Sequence, residues 1–168
     1  MPDIAVSDTG PVLHLHEIGE VRQLRLFEAV ILSEQVKTEL SGDGVWDRIA
    51  DALTDRLVVK KVTAQEITEQ AKTLSAFTVH RPDLSVAALA ARVRPDLVLT
   101  DDLRLRKGLE AQGHQVVGSI GVLVRAFRTG RMSKPELLSR VDQLLDGSTL
   151  YTSKAFRTTI RAVLDDLP

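Results

Sequence analysis

Short apolar runs alternate along this chain with longer stretches whose apolar residues recur at helical spacing. Residues 4–7 (IAVS), 29–32 (AVIL), 56–62 (RLVVKKV), 96–100 (DLVLT) and 115–118 (QVVG) are β-prone and of the length that suits buried strands. Between them, PVLHLHEIGE and VRQLRLFEA predict short helices punctuated at Gly19, and Ser33 is placed to N-cap EQVKTEL. VWDRIADALTD resumes helical spacing after the breaker SGDG. Thr63 with Glu66, and Ser133 with Glu136, have the spacing of capping boxes. LSVAALAARV carries small apolar residues on nearly every face, which predicts a helix lying flat against a sheet. LRLRKGLEAQ is helical up to Gly113, a residue suited to a helix C-terminus. SIGVLVRAF and two further amphipathic helices complete the chain.

Strands alternating with helices predict an α/β fold whose mostly parallel sheet is covered on both faces. The two helices after residue 132 have no strand between them, so they are expected to form a C-terminal hairpin. A length of 168 residues fits one domain. No repeat, linker or low-complexity segment divides it.

Composition narrows the chemistry. Apolar residues make up 43% and charged residues 27%, as expected of a globular chain. The net charge of -1 gives no bulk attraction to polyanions, so a nucleic-acid partner has to be met by a local basic patch. With no cysteine, disulfides, thiolate metal sites and a cysteine nucleophile are all excluded. No apolar run approaches the roughly 20 residues that span a bilayer. The N-terminal residues enter a strand without a basic region or cleavage site, so no secretion signal is expected. The expectation is a cytoplasmic protein with no membrane partner.

Acidic residues fall where strands end. Asp8 follows the first strand and Asp101-Asp102 the fourth. Ligands of open parallel sheets gather outside the carboxyl ends of the strands, where strand order reverses. If the first and fourth strands are neighbours at that point, these carboxylates converge, and their mutual repulsion calls for a proton or a cation. Oxygen donors without thiolates suit Mg2+ or Mn2+. The bland alternative for Asp8 and Asp102 is an ordinary helix N-cap. Arg104 and Lys107 share a helix face by spacing, as do Arg125 and Arg128, and either pair is a candidate for phosphate contacts. His14 and His16 point to different faces and do not suggest a shared metal. His80 and His114 fall near turns and are expected to be exposed. Aromatic residues make up only 4%, so no base-stacking platform is evident.

Four motifs in order carry a family resemblance: IAVSDTGPVLHLHEIGEVRQLRLF, VILSEQVKTEL, LSVAALAARVRPDLVLTDDLRLRKGLEAQ and VVGSIGVLVRAFRTGRM. Together they resemble the PIN-domain superfamily, in particular its VapC-like ribonuclease branch, over roughly residues 3–131. The resemblance implies a three-layer sandwich, with residues 1–131 as the PIN-like core and 132–168 as C-terminal helices. It also implies Mg2+- or Mn2+-dependent hydrolysis of RNA by metal-activated water, leaving a 5′-phosphate. A toxin–antitoxin context, an antitoxin partner and a homodimer are implied as well. Carried onto this chain, the catalytic residues are Asp8, Glu39 and Asp101, with Asp102 as a further metal ligand and Thr9 as a small polar neighbour on the substrate side. Where the branch has an acidic stretch before the small-residue helix, this chain reads Pro82-Asp83-Leu84-Ser85. Asp83 is either a ligand or a helix cap, and Ser85 stands where a second glutamate is usual. The expected consequence is weaker metal binding, a single ion, or a non-catalytic binding module; a Ser85→Glu change should then tighten the metal. A receiver-like domain is a third reading, but only one acid follows the first strand.

Overall fold

A computed structural model describes residues 3–168. All five apolar runs are strands: β1 (Ile4–Ser7), β2 (Ala29–Ser33), β3 (Leu57–Lys60), β4 (Leu97–Leu99) and β5 (Val116–Val117). They lie in the order β3-β2-β1-β4-β5 and every neighbouring pair is parallel, so the sheet is wholly rather than mostly parallel. Strand order reverses at β1, whose neighbours are β2 on one side and β4 on the other. Ser7 is level with Leu99 in the register, so Asp8 and Thr100 leave the sheet side by side. The Asp8 amide donates to Leu99 O at 2.9 Å and extends the ladder by one step.

The helices are α1 (Thr9–Glu17), α2 (Glu34–Gly42), α3 (Trp46–Leu53), α4 (Ala64–Thr73), α5 (Arg81–Val93), α6 (Leu103–Ala111), α7 (Ser119–Arg128), α8 (Lys134–Gly147) and α9 (Lys154–Asp165). α1, α2 and α3 contact one another in series, as do α4, α5 and α6, the two groups that right-handed crossovers put on opposite faces of a parallel sheet in this strand order. α7 comes back to pack on α1, with α8 against both. The three layers follow from this winding. In α5 every residue from Leu84 to Ala90 is buried, and its alanines let the helix backbone approach β1 and β2 closely.

Local chemistry accounts for the helix ends. Thr63–Glu66 and Ser133–Glu136 both form reciprocal capping boxes. Gly113 takes φ +86° just beyond α6, a conformation that favours glycine. One expectation changes. VRQLRLFEA is a 3-10 helix over Val21–Leu26, followed by extended Phe27. Its anchors Val21, Leu24 and Phe27 are buried at intervals of three, which matches the 3-10 repeat rather than the α-helical one. The C-terminal hairpin forms as expected, with α9 resting on α8. Among the described residues, no helix is long and apolar enough to cross a membrane.

Candidate nuclease site

The crevice outside the carboxyl ends of β1 and β4 collects four carboxylates: Asp8, Glu39, Asp83 and Asp102. Asp8 follows β1 as the N-cap of α1, and the residue is 8% exposed. Its Oδ1 accepts from the Thr9 amide at 2.7 Å and its Oδ2 from the Thr100 hydroxyl at 2.9 Å. Asp102 is the N-cap of α6, with Oδ1 accepting from the Leu105 amide at 2.7 Å. Capping and site-building are therefore the same act for these two residues. Glu39 stands exposed on α2, where its Oε2 accepts from the Thr9 hydroxyl.

Asp83 is not a cap. His80 holds that position, and Asp83 lies in the first turn of α5 with its charge toward the other acids. Burial raises the Asp8 carboxyl to about 7, and the charges of Asp83 and Glu39 add to the rise. Asp83 is raised to about 6, first by burial and then by Asp102 and Glu39. These mutual effects define the cluster. Among the described residues, none of the four acids has a Lys, Arg or His partner at ion-pair distance.

Asp101 turns elsewhere. Its Oδ2 lies 2.8 Å from His14 Nδ1 and accepts from the Ser119 hydroxyl, while its Oδ1 accepts from the Ser119 amide at 2.8 Å. It is not among the charges that raise Asp8 or Asp83. The adjacent aspartates thus face different surroundings, and the acid that joins the cluster is Asp102. Ser85 also turns away: it is fully buried, donates to Pro82 O at 2.8 Å and lies 2.8 Å from Ser33 Oγ. The hydroxyl that replaces the expected glutamate therefore completes a buried pair under α2.

The basic residues divide too. Arg104 and Lys107 are exposed on α6, whose N-cap is Asp102. Arg125 and Arg128 do not join them. α7 starts beside Asp101 and rises about 1.5 Å per residue, so these arginines stand roughly 9 and 13 Å along it. Arg125 pairs with Asp3, which precedes β1, and lies over the Phe27 ring at 5.6 Å. Their place is toward the amino end of the sheet. His80 is exposed, as its turn position predicts, but His114 is half-buried and its imidazole is held below the ordinary value by that burial.

Sequence patterns missed Thr100 and Ser119, and gave no sign of the partners of His14 and Arg106. Thr100 accepts from the Asp102 amide at 3.1 Å while donating to Asp8, so one hydroxyl ties two of the acids together. Its position two residues before Asp102, at a strand end, was the available signal. Arg106 donates to Thr100 O at 3.2 Å and Val116 O at 3.1 Å, fixing the turn from beneath. His14 meets Asp101 across 87 residues of sequence, and no local pattern announces that contact.

The donor set is chemically suited to a hard dication: four carboxylates with no countercharge and no soft ligand. Among the described residues, no three His, Asp or Glu side chains already converge on one ligating point. Holding an ion therefore requires these carboxylates to turn inward.

No curated protein sequence matches the chain. A family model described as PIN domain matches residues 4–165, nearly its full length. Proteins of that family are generally nucleases, and they typically use divalent metals. The parallel sheet, its acid-lined crevice and this match lead to one conclusion: the chain belongs to the PIN-domain family.

Proposed function

We propose that the chain is a divalent-metal-dependent endoribonuclease, with Asp8, Glu39, Asp83 and Asp102 as the acids that hold Mg2+ or Mn2+. The observation that carries this is the gathering of four acids with no cation paired to them, among which Asp8 is pushed up to about 7, first by burial and then by the charges of Asp83 and Glu39. A dication held by these acids would relieve that cost, and would supply Lewis acidity to a water and to the phosphate under attack. The protein's own part is placement. Thr9 and Thr100 fix the Asp8 carboxyl, the first turn of α6 fixes Asp102, and the Thr9 hydroxyl fixes Glu39. Arg104 and Lys107 on the open face of α6 contact the phosphates of a strand entering the crevice. With few aromatics, recognition rests on the backbone rather than on stacked bases. The likeness to the VapC-like branch adds a toxin role, an antitoxin partner and a homodimer to the proposal.

The test is manganese-dependent cleavage of end-labelled RNA and of the same sequence as DNA. Wild-type protein should cut the RNA. Asp8→Asn, Asp83→Asn and Asp102→Asn should each lose at least about 100-fold, because removing a ligand costs no less than removing an outer-shell partner. Equal cleavage by wild type and Asp8→Asn would assign the activity to a contaminant. Cleavage of DNA alone would overturn the substrate.

A further inference from the structure

The two neighbouring aspartates after β4 do different work, and we infer that Asp101 is a positioning residue rather than a metal ligand. It clamps the turn that carries Thr100 and Asp102. This rests on the site proposed above and divides the labour within it.

The clamp has three strands of contact. Asp101 lies in the β4–α6 turn with its side chain 12% exposed, the same as that of His14. A carboxylate only accepts, so His14 presents Nδ1–H to Oδ2 across 2.8 Å, and this secures α1. The Ser119 hydroxyl also donates to Oδ2 and the Ser119 amide donates to Oδ1 at 2.8 Å, which secures the first turn of α7. Three donors from two helices leave Asp101 little capacity to turn toward an ion. Gly118 makes the fit possible, since a Cβ there would stand 2.6 Å from Asp101 Oδ1. The approach is steric, because Gly118 has an ordinary extended backbone with φ -97°.

What the clamp holds is the catalytic edge. Thr100 and Asp102 flank Asp101 in sequence, and the Asp102 amide donates to Thr100 Oγ1, which donates to Asp8 Oδ2. Arg106 grips Thr100 O from below at 3.2 Å. With Asp101 fixed to α1 and α7, the turn cannot rotate, and Thr100 and Asp102 keep their aim at Asp8 and Asp83. The sequence alone presents two equivalent carboxylates here; only their partners separate them.

The experiment compares Asp101→Asn, Asp101→Ala, Ser119→Ala and Asp102→Asn in the full chain. Mn2+ binding is read from the electron paramagnetic resonance signal of free Mn2+, and RNA cleavage is read as kcat and KM separately. Asp101→Asn retains an acceptor for the Ser119 amide and should bind Mn2+ within about threefold of wild type, with activity largely rescued relative to alanine. Asp101→Ala and Ser119→Ala should lower kcat by about tenfold with KM little changed, the effect of an outer-shell partner. Asp102→Asn should lose Mn2+ binding. Loss of binding in Asp101→Asn equal to that in Asp102→Asn would overturn the assignment and make Asp101 a ligand.

A readout free of metal separates this inference from the nuclease proposal. In the metal-free protein, hydrogen exchange at the Ser119 and Asp102 amides should accelerate in Asp101→Ala and stay near wild type in Asp83→Asn. If wild type binds no Mn2+ but this acceleration appears, the metal site fails and the clamp stands. If both amides exchange at wild-type rates in Asp101→Ala, the clamp fails whatever the metal result.

Discussion

Asp8 and Asp83 carry the clearest consequence of the site at the scale of single residues. Their carboxyls stand at about 7 and about 6 in the folded protein, against an ordinary aspartate value of 3.8. Between these limits the folded state holds protons that the unfolded chain has released, so the contribution of these two acids to stability is greatest at low pH and falls as pH rises toward 7. For Asp8 the displacement is worth on the order of 4 kcal/mol against the ionised form. Urea denaturation in EDTA should therefore show the wild type less stable at pH 8 than at pH 5. Asp8→Asn should flatten that slope and exceed wild-type stability at pH 8; a wild-type slope of the opposite sign would contradict the buried-acid account. Ser85 gives a second test. Its hydroxyl joins Ser33 at 2.8 Å in a fully buried site. Ser85→Ala should cost about 1 kcal/mol and leave Mn2+ affinity unchanged. Ser85→Glu should destabilise by burying a charge rather than tighten the metal.

At the scale of elements, what the sequence could show depended on how local the signal was. Each strand coincides with an apolar run; the inner strands β1, β2 and β4 do so because a strand covered on both faces must be apolar nearly throughout, while the edge strands β3 and β5 are half-buried and β3 ends in exposed Lys60. Both capping boxes were legible because a cap is a relation across three residues. The segment Val21–Leu26 was legible as a short helix but not as a 3-10 helix, because apolar residues three apart suit either kind until packing decides. The site followed the same rule. Asp8 and Asp102 were visible as acids at strand-to-helix junctions, but the split between Asp101 and Asp102 was not. It depends on α1 and α7 arriving from distant parts of the chain. Gly118 belongs to this scale, since it is where α7 meets the β4–α6 turn. Besides the clash with Asp101, a Cβ there would stand 3.4 Å from Thr100 O and 3.2 Å from Arg106 Nη2. Gly118→Ala should cost about 1–3 kcal/mol, as overpacking does, and lower the rate of RNA cleavage. A variant as stable and active as wild type would show that the junction has slack.

The whole molecule keeps its chemistry at one end and its C-terminal hairpin at the other. α1 starts at the site with Asp8 as its cap and runs the length of the sheet to Glu17, whose carboxylate accepts from the Thr149 amide and hydroxyl, each at 2.8 Å. Arg140 on α8 pairs with Glu20 at 2.7 Å, also beyond the far end of α1. α8 belongs to the core through Leu137, Val141, Leu144 and Leu145. α9 does not to the same degree: Leu164 is its one buried residue. Its ion pairs, Arg157 with Asp146 and Arg161 with Asp142 and Asp146, are surface pairs of small individual worth. Lys134 Nζ adds a tie to Asp165 O at 2.8 Å. A chain ending at Thr152 should therefore keep its sheet and lose about 2–4 kcal/mol, mostly from the buried Leu164 and its neighbours. Because α9 packs away from the crevice, Mn2+ should bind the shortened and full-length chains with equal affinity. Saturating Mn2+ should also raise the melting temperature of both by the same increment in free energy, as mass action requires. Weaker binding in the shortened chain would show that α9 supports the acids through α8 and α1, and that the two ends of the molecule are not energetically separate.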